Sequence, residues 1–128
     1  MTSVAAIASY AQASAGTAGP GEIVRMAYER IITACNRAQQ AEADVPVNWV
    51  QVFHDECSRG QAILLELMSG LALNHPDPDV VELATNLDDL YKYCIGELVD
   101  ANVYKDPEPL DDVRVVIAGL LDAWVRRA

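Results

Sequence analysis

The sequence predicts an all-α fold, an antiparallel four-helix bundle preceded by a short N-terminal arm or helix. Three observations carry this. Apolar residues recur at steps of three and four in four separate stretches, the spacing of one helix face. The stretches are separated by short proline-marked breaks. The apolar content, 52%, is mostly Ala, Leu and Val with only 6% aromatics, a mix that suits helix-on-helix packing better than a sandwich of sheets.

Residues 1–19 hold mainly Ala, Ser, Gly and Thr. They read as an arm or a dockable helix, with Ile7 and Tyr10 as anchors at i, i+3. Residues 20–128 form the bundle domain. Gly19-Pro20-Gly21-Glu22 is a helix start: proline fits the first turn, where its missing N–H had no partner, and Glu22 suits the positive end. Ile23, Ala27, Ile31, Ala34 and Ala38 follow, flanked by Val24, Tyr28 and Cys35. This helix should end near Ala43, ahead of Val45-Pro46. A second helix starts near Pro46 or Asn48. Its stripe is Trp49, Val52, Phe53, Cys57, Gly60, Leu64, Leu67 and Leu71, and it is expected to stop at Asn74-His75-Pro76.

The third start is the clearest. Asp77 can cap and Pro78 can take the first position. Val80, Leu83, Leu87, Leu90, Cys94, Leu98 and Ala101 then make a near-heptad stripe. Asp106-Pro107-Glu108-Pro109 breaks the chain and opens a fourth helix. Leu110, Val113, Val116, Ile117, Leu120, Leu121 and Trp124 are its inner face, and Arg126 and Arg127 favour its negative end. Leu87, Leu98 and Trp124 are assigned to the core.

The net charge of −10 repels phosphate backbones and anionic membranes. No nucleic-acid partner and no membrane insertion are expected. Cys35, Cys57 and Cys94 are odd in number and far apart, with no CxxC; they read as buried thiols in a reducing cytosol. The N-terminus lacks the cationic start of a signal peptide. The longest apolar run, Ile63 to Leu73, contains Glu66 and is too short to span a bilayer.

A helical bundle can house a di-iron site built on Glu-x-x-His pairs. Gln51 and Ala72 occupy the places three before His54 and His75, so neither pair exists. His54 and Cys57 supply half of a zinc set, and the other half is missing. His54 reads as a helix-flank residue and His75 as a loop residue. Asp55-Glu56, Asp88-Asp89 and Asp111-Asp112 are adjacent acids about 100° apart on a helix, so they do not face each other. They read as solvated faces. There is no phosphate loop and no GxSxG. No enzyme activity, metal or cofactor is expected.

Two stretches resemble the FliS family of flagellin export chaperones. One is Tyr10, six residues, then Thr17-Ala18-Gly19-Pro20 through Ile23, Met26 and Tyr28-Glu29. The other runs from Asn86 to Asp106 and contains Leu90-Tyr91-Lys92-Tyr93 and Leu98-Val99-Asp100-Ala101-Asn102. Asp122-Ala123-Trp124 is similar to the family's ending. Ala27 stands where the family has Leu, and Gly96-Glu97 where a basic pair is frequent; residues 44–82 match only in helical pattern.

The resemblance implies a cytosolic bundle that holds the C-terminal segment of flagellin, prevents premature polymerisation and keeps it export-competent. It also implies a contact with the flagellar export gate, as a monomer or dimer. Another helical adaptor or secretion chaperone with a different client is the alternative. Partner-binding residues expected on this basis are Ile7, Tyr10, Tyr28, Tyr91, Tyr93 and Asn102. The arm is either a docking element or a packed N-terminal turn. The tyrosines line a groove or fill the core. Asn102 bonds client backbone or caps its own helix.

Overall fold

The computed structural model describes residues 20–127. Ile7 and Tyr10 lie outside them. The described residues form four helices and no strand: α1 Pro20–Asp44, α2 Trp49–Ser69, α3 Pro78–Tyr104 and α4 Glu108–Arg127. Packing runs α1–α2, α2–α3, α3–α4 and back from α4 to α1, the square of an up-down-up-down bundle. Two hydrogen bonds fix the antiparallel sense of α1 and α4. Trp124 Nε1 donates to the Gly21 carbonyl at 2.7 Å, and Gln39 Nε2 donates to the Pro107 carbonyl at 3.1 Å.

The helix starts follow the capping chemistry. The Asp77 carboxylate accepts the Asp79 N–H at 2.9 Å, with Pro78 in the first turn. Asp106 repeats the device, accepting the Glu108 N–H at 3.0 Å across Pro107. Each carboxylate satisfies one of the donors that a helix leaves unpaired and places negative charge at the positive end.

The second helix is shorter than its apolar stripe suggests. It ends at Ser69, not at Asn74. The N–H groups of Gly70 and Leu71 bond back only three residues, to the carbonyls of Leu67 and Met68, and this tightening closes the last turn. Leu71 keeps the stripe's apolar character from within the loop, where it packs with Ala72 and Leu83 around buried Val80 and Ala84.

The core centres on Val24, Tyr28, Ile31, Cys35 and Ala38 of α1, Phe53, Cys57, Gly60 and Leu64 of α2, Leu87, Tyr91, Cys94, Leu98 and Ala101 of α3, and Leu110, Val113 and Ile117 of α4. Trp124 is partly buried against it. In α3 the inward heptad is Val80, Ala84, Leu87, Tyr91, Cys94, Leu98 and Ala101. Leu90, expected in that stripe, is exposed. The steps of four and three run through position 91, so Tyr91 takes the place facing the core.

Candidate functional site

The described site residues divide between interior and surface. Tyr28 and Tyr91 are in the core, 1% and 0% exposed. Their hydroxyls meet 2.7 Å apart across the diagonal between α1 and α3. Either oxygen can donate, and the bond offsets the cost of burying two phenols. Burial, and then the neighbouring Tyr91, pushes the Tyr28 hydroxyl well above its ordinary value of 10. The pair stays neutral and serves the interior.

Tyr93 is on the surface, half exposed, on a flank of α3 that it shares with exposed Leu90 and Tyr104. Positions 90, 93, 97 and 104 fall on one side of a helix. This flank borders α4. Glu97 shares a side-chain hydrogen bond with Asp112, and that bond, followed by desolvation, raises its pKa. Two carboxyls so close cannot both ionise freely. The residue-by-residue reading of adjacent acids did not anticipate this pair, because its members come from different helices.

Asn102 neither caps its own helix directly nor stands free. It bridges α2 and the end of α3. Its Oδ1 accepts from Lys105 Nζ at 2.8 Å, and its Nδ2 lies 3.0 Å from His54 Nδ1. The amide oxygen is committed to the lysine, so the amide nitrogen donates to the imidazole. His54 Nδ1 is therefore the acceptor nitrogen. Lys105 sits 5.9 Å from the Phe53 ring centroid, within cation–π range. His54 is exposed, as expected of a flank residue, and His75 accepts the Asp77 N–H in the loop.

One acidic residue departs from its expected setting. Glu56 does not lie on a solvated face: it is 8% exposed, and its Oε1 has no hydrogen-bond partner among the described residues. It faces α1 across a cleft lined also by Arg30, Thr33, Arg37 and Arg59. The nearest cation, Arg59 Nε, is 3.9 Å away. Further along the same seam, Ile23, Met26, Ala27 and Ile63 line an apolar recess of about 220 Å³, with Arg30 and Glu66 at its edges.

The three thiols are not set up as nucleophiles. Burial pushes the Cys35 thiol up to about 12 and those of Cys57 and Cys94 up to about 11, so at neutral pH none offers a thiolate. All three are free and buried. Among the described residues no group of three or more His, Cys, Asp or Glu is placed to hold a metal ion. No described helix is long and apolar enough to cross a membrane.

What the arrangement offers is surface: an exposed aromatic flank on α3 and an open seam between α1 and α2. Comparison with known proteins agrees with a binding role. The family profile described as "Flagellar protein FliS" matches residues 3–128. The chain is similar to the flagellar secretion chaperone FliS of Vibrio cholerae, 31% identical over 111 residues, covering 84% of this chain and 74% of the relative. It is equally similar to the protein of that name in Campylobacter jejuni, 31% over 115 residues, covering 90% and 84%. The Salmonella typhimurium FliS is 26% identical over 133 residues, covering 97% and 90%. A profile match over nearly the whole length, on a bundle of four described helices, places this chain in the FliS family of flagellar secretion chaperones.

Proposed function

We propose that this export chaperone holds the C-terminal segment of flagellin in the cytosol, prevents its premature polymerisation and keeps it export-competent. The observation that carries the reading is the family match across residues 3–128. The client enters as a disordered tail that becomes ordered against the bundle. Ordering costs about 2–5 kcal/mol or more, so the contact must be large, on the order of 1,000–3,000 Å². Exposed apolar side chains supply such a surface, among them Tyr93 and Tyr104 on α3. Asn102, beside that flank, has its amide already shared with His54 and Lys105; it meets client backbone only by exchanging one of those bonds. Tyr28 and Tyr91 contribute by setting the core that holds α1 and α3 apart.

The arm, residues 1–19, belongs to the same proposal, with Ile7 and Tyr10 as its contacts. The export gate is a further partner that receives the loaded chaperone, as a monomer or dimer. No catalytic step is part of this role.

Calorimetry on truncated flagellin tests the reading. Loss of the client's C-terminus should abolish binding, whereas loss of its N-terminus should not. The heat-capacity change should be clearly negative, because apolar burial drives the association. Binding that survives loss of the C-terminus would mean that the client assignment is wrong. Tyr10→Ala should alter the isotherm with little change in thermal stability; an unaltered isotherm would reduce the arm to a passive tail.

A further inference from the structure

Most cations of this acidic chain are already committed. Arg25 bridges Glu22 and Glu29, Lys92 bridges Asp88, Arg114 bridges Asp111, and Arg126 bridges Asp122. Lys105 is held by Asn102. Arg30 and Arg37 are different. Both are exposed, neither has an ion pair or hydrogen bond among the described residues, and both line the α1–α2 cleft with Arg59. Two unpaired guanidinium groups beside Arg59, on a chain of net charge −10, are a local reversal of sign.

The floor of the cleft adds a second, independent observation. Glu56 is buried there, and its Oε1 has no hydrogen-bond partner among the described residues. A buried carboxylate oxygen without a donor is costly, and Arg59 at 3.9 Å is too far for a hydrogen bond. The cleft thus offers three donors at its rim and one hungry acceptor at its base. It continues into the apolar recess at Ile23, Met26, Ala27 and Ile63. From Ile23 to Arg37 the seam runs about 20 Å at the α-helical rise, enough for about four turns of a third helix.

We propose that the α1–α2 cleft is a docking groove for an acidic amphipathic helix of the client. Its apolar side chains enter the recess beside Met26. Its carboxylates meet Arg30, Arg37 and Arg59, and an amide or hydroxyl donor reaches Glu56 Oε1. Three arginines against Glu56 and Glu66 leave the groove net positive, and charge complementarity favours this occupant: a basic or purely apolar helix would leave Arg30 and Arg37 unpaired. The inference rests on the flagellin reading above and assigns a location and a charge pattern to part of that contact. Guanidinium–carboxylate pairs at a half-open rim contribute more to encounter and register than to affinity, so apolar burial still dominates.

The test uses the full chain and the C-terminal flagellin segment. R30E/R37E should weaken binding by about tenfold or more. Wild-type affinity should fall modestly as salt rises, and that of the charge-reversed variant should not. R30K/R37K should keep most of the affinity. R126E, on α4 and away from the cleft, should stay within about twofold of wild type. Should the charge reversal fail to fold by circular dichroism, R30Q/R37Q takes its place, with a smaller loss expected, since it removes attraction without adding repulsion, and a flatter salt dependence. Methyl-labelled Met26 reports occupancy directly: its resonance should move on adding the segment. R30E/R37E binding within about twofold of wild type, or an unmoved Met26 resonance, overturns the groove while leaving the flagellin reading intact. A wild-type chain that does not bind the segment at all overturns both.

Discussion

Helix α2 meets its two neighbours in opposite ways. Toward α3 the seam is closed. Gly60 is buried, and a Cβ built on it would stand 3.1 Å from Leu98 Cδ1, so the missing side chain is what lets the helices approach. The polar atoms on that side satisfy one another, His54 through Asn102 to Lys105, whose ammonium also covers the Phe53 ring. Toward α1 the helices run close along more of their length, but the rim of the seam is open. Among the described residues Glu56 Oε1 lacks a donor and Arg30 and Arg37 lack acceptors, and an apolar recess reaches the surface. The closed seam spends its interactions on folding. The open seam holds interactions in reserve, as expected where a partner completes them.

Alkaline pH should break the closed side with the largest effect. Cys57 and Cys94 lie within it, Cys35 lies in the adjoining core, and burial raises all three thiols. The unfolded chain loses these protons near 9, the folded chain only at about 11 for Cys57 and Cys94 and about 12 for Cys35. Between those values the unfolded state binds fewer protons, so stability falls as pH rises. It is fully present below pH 9. Thermal melts from neutral pH upward should show a flat region and then a steep decline. Cys35→Ala/Cys57→Ala/Cys94→Ala should flatten the decline, leaving the part due to Tyr28. A melting temperature indifferent to pH up to 12 would mean that the thiols are far less buried than they stand here.

Gly60→Val should give the next largest effect. The added methyl groups meet Leu98, itself 1% exposed and without room to turn. Overpacking of this kind costs about 1–3 kcal/mol. Gly96→Ala is the matched control, because nothing lies within 4 Å of the added carbon; the helix gains up to about 1 kcal/mol. Urea midpoints that move in opposite directions would sharpen the contrast. Two shifts of the same sign would remove it.

How far these seams were legible in the sequence depends on what each feature answers to. The helix starts at Asp77-Pro78 and Asp106-Pro107 were legible because capping is local chemistry. The α3 stripe was legible as a stripe, but not which of Leu90 and Tyr91 faces inward, since both fall within the same two positions of the apolar pattern. Glu56 read as solvated because a carboxylate beside Asp55 usually is; its burial comes from α1, roughly twenty residues earlier. The end of α2 was misplaced because Leu71 and Leu73 extend the apolar pattern past the point where Gly70 closes the helix. Tyr93 was named as a contact and is exposed, yet its company on that flank, Leu90 and Tyr104, emerges only with the helix phase.

Glu56→Leu probes the open seam. It removes a buried oxygen with no hydrogen-bond partner among the described residues and adds apolar volume between α1 and α2. The expected result is a gain of about 1 kcal/mol in stability, together with weaker binding of the acidic client segment, which loses its acceptor. Stability and binding should therefore move apart. A loss of stability would show that Arg59 already pairs with Glu56 in solution, and the seam would then be closed on both sides.

The smallest effect concerns the turns. Among the described residues two non-glycines have left-handed backbones: Val45 after α1, with φ 47°, and Lys105 after α3, with φ 51°. Lys105 ends α3 with the Asp106 N–H bonded to the Ala101 carbonyl at 3.0 Å, a reversal that usually calls for glycine. Its ammonium repays the strain through Asn102 and the Phe53 ring. Val45 bonds its own N–H to the Ala41 carbonyl at 2.9 Å, as Lys105 does to Ala101, but Pro46 has no N–H to add the second bond that Asp106 makes, and the β-branched Val45 side chain is exposed. A left-handed residue costs about 1–2 kcal/mol, and glycine gives back about 0.5–1 kcal/mol of that through unfolded-chain entropy. Val45→Gly should thus stabilise the chain by about 0.5 kcal/mol, while Lys105→Gly should destabilise it, since the relief of strain is outweighed by loss of the Asn102 and Phe53 contacts. Denaturation of the two variants side by side reads the difference. If both gain, the lysine contacts contribute nothing, and the left-handed residue after α3 is no better compensated than the one after α1.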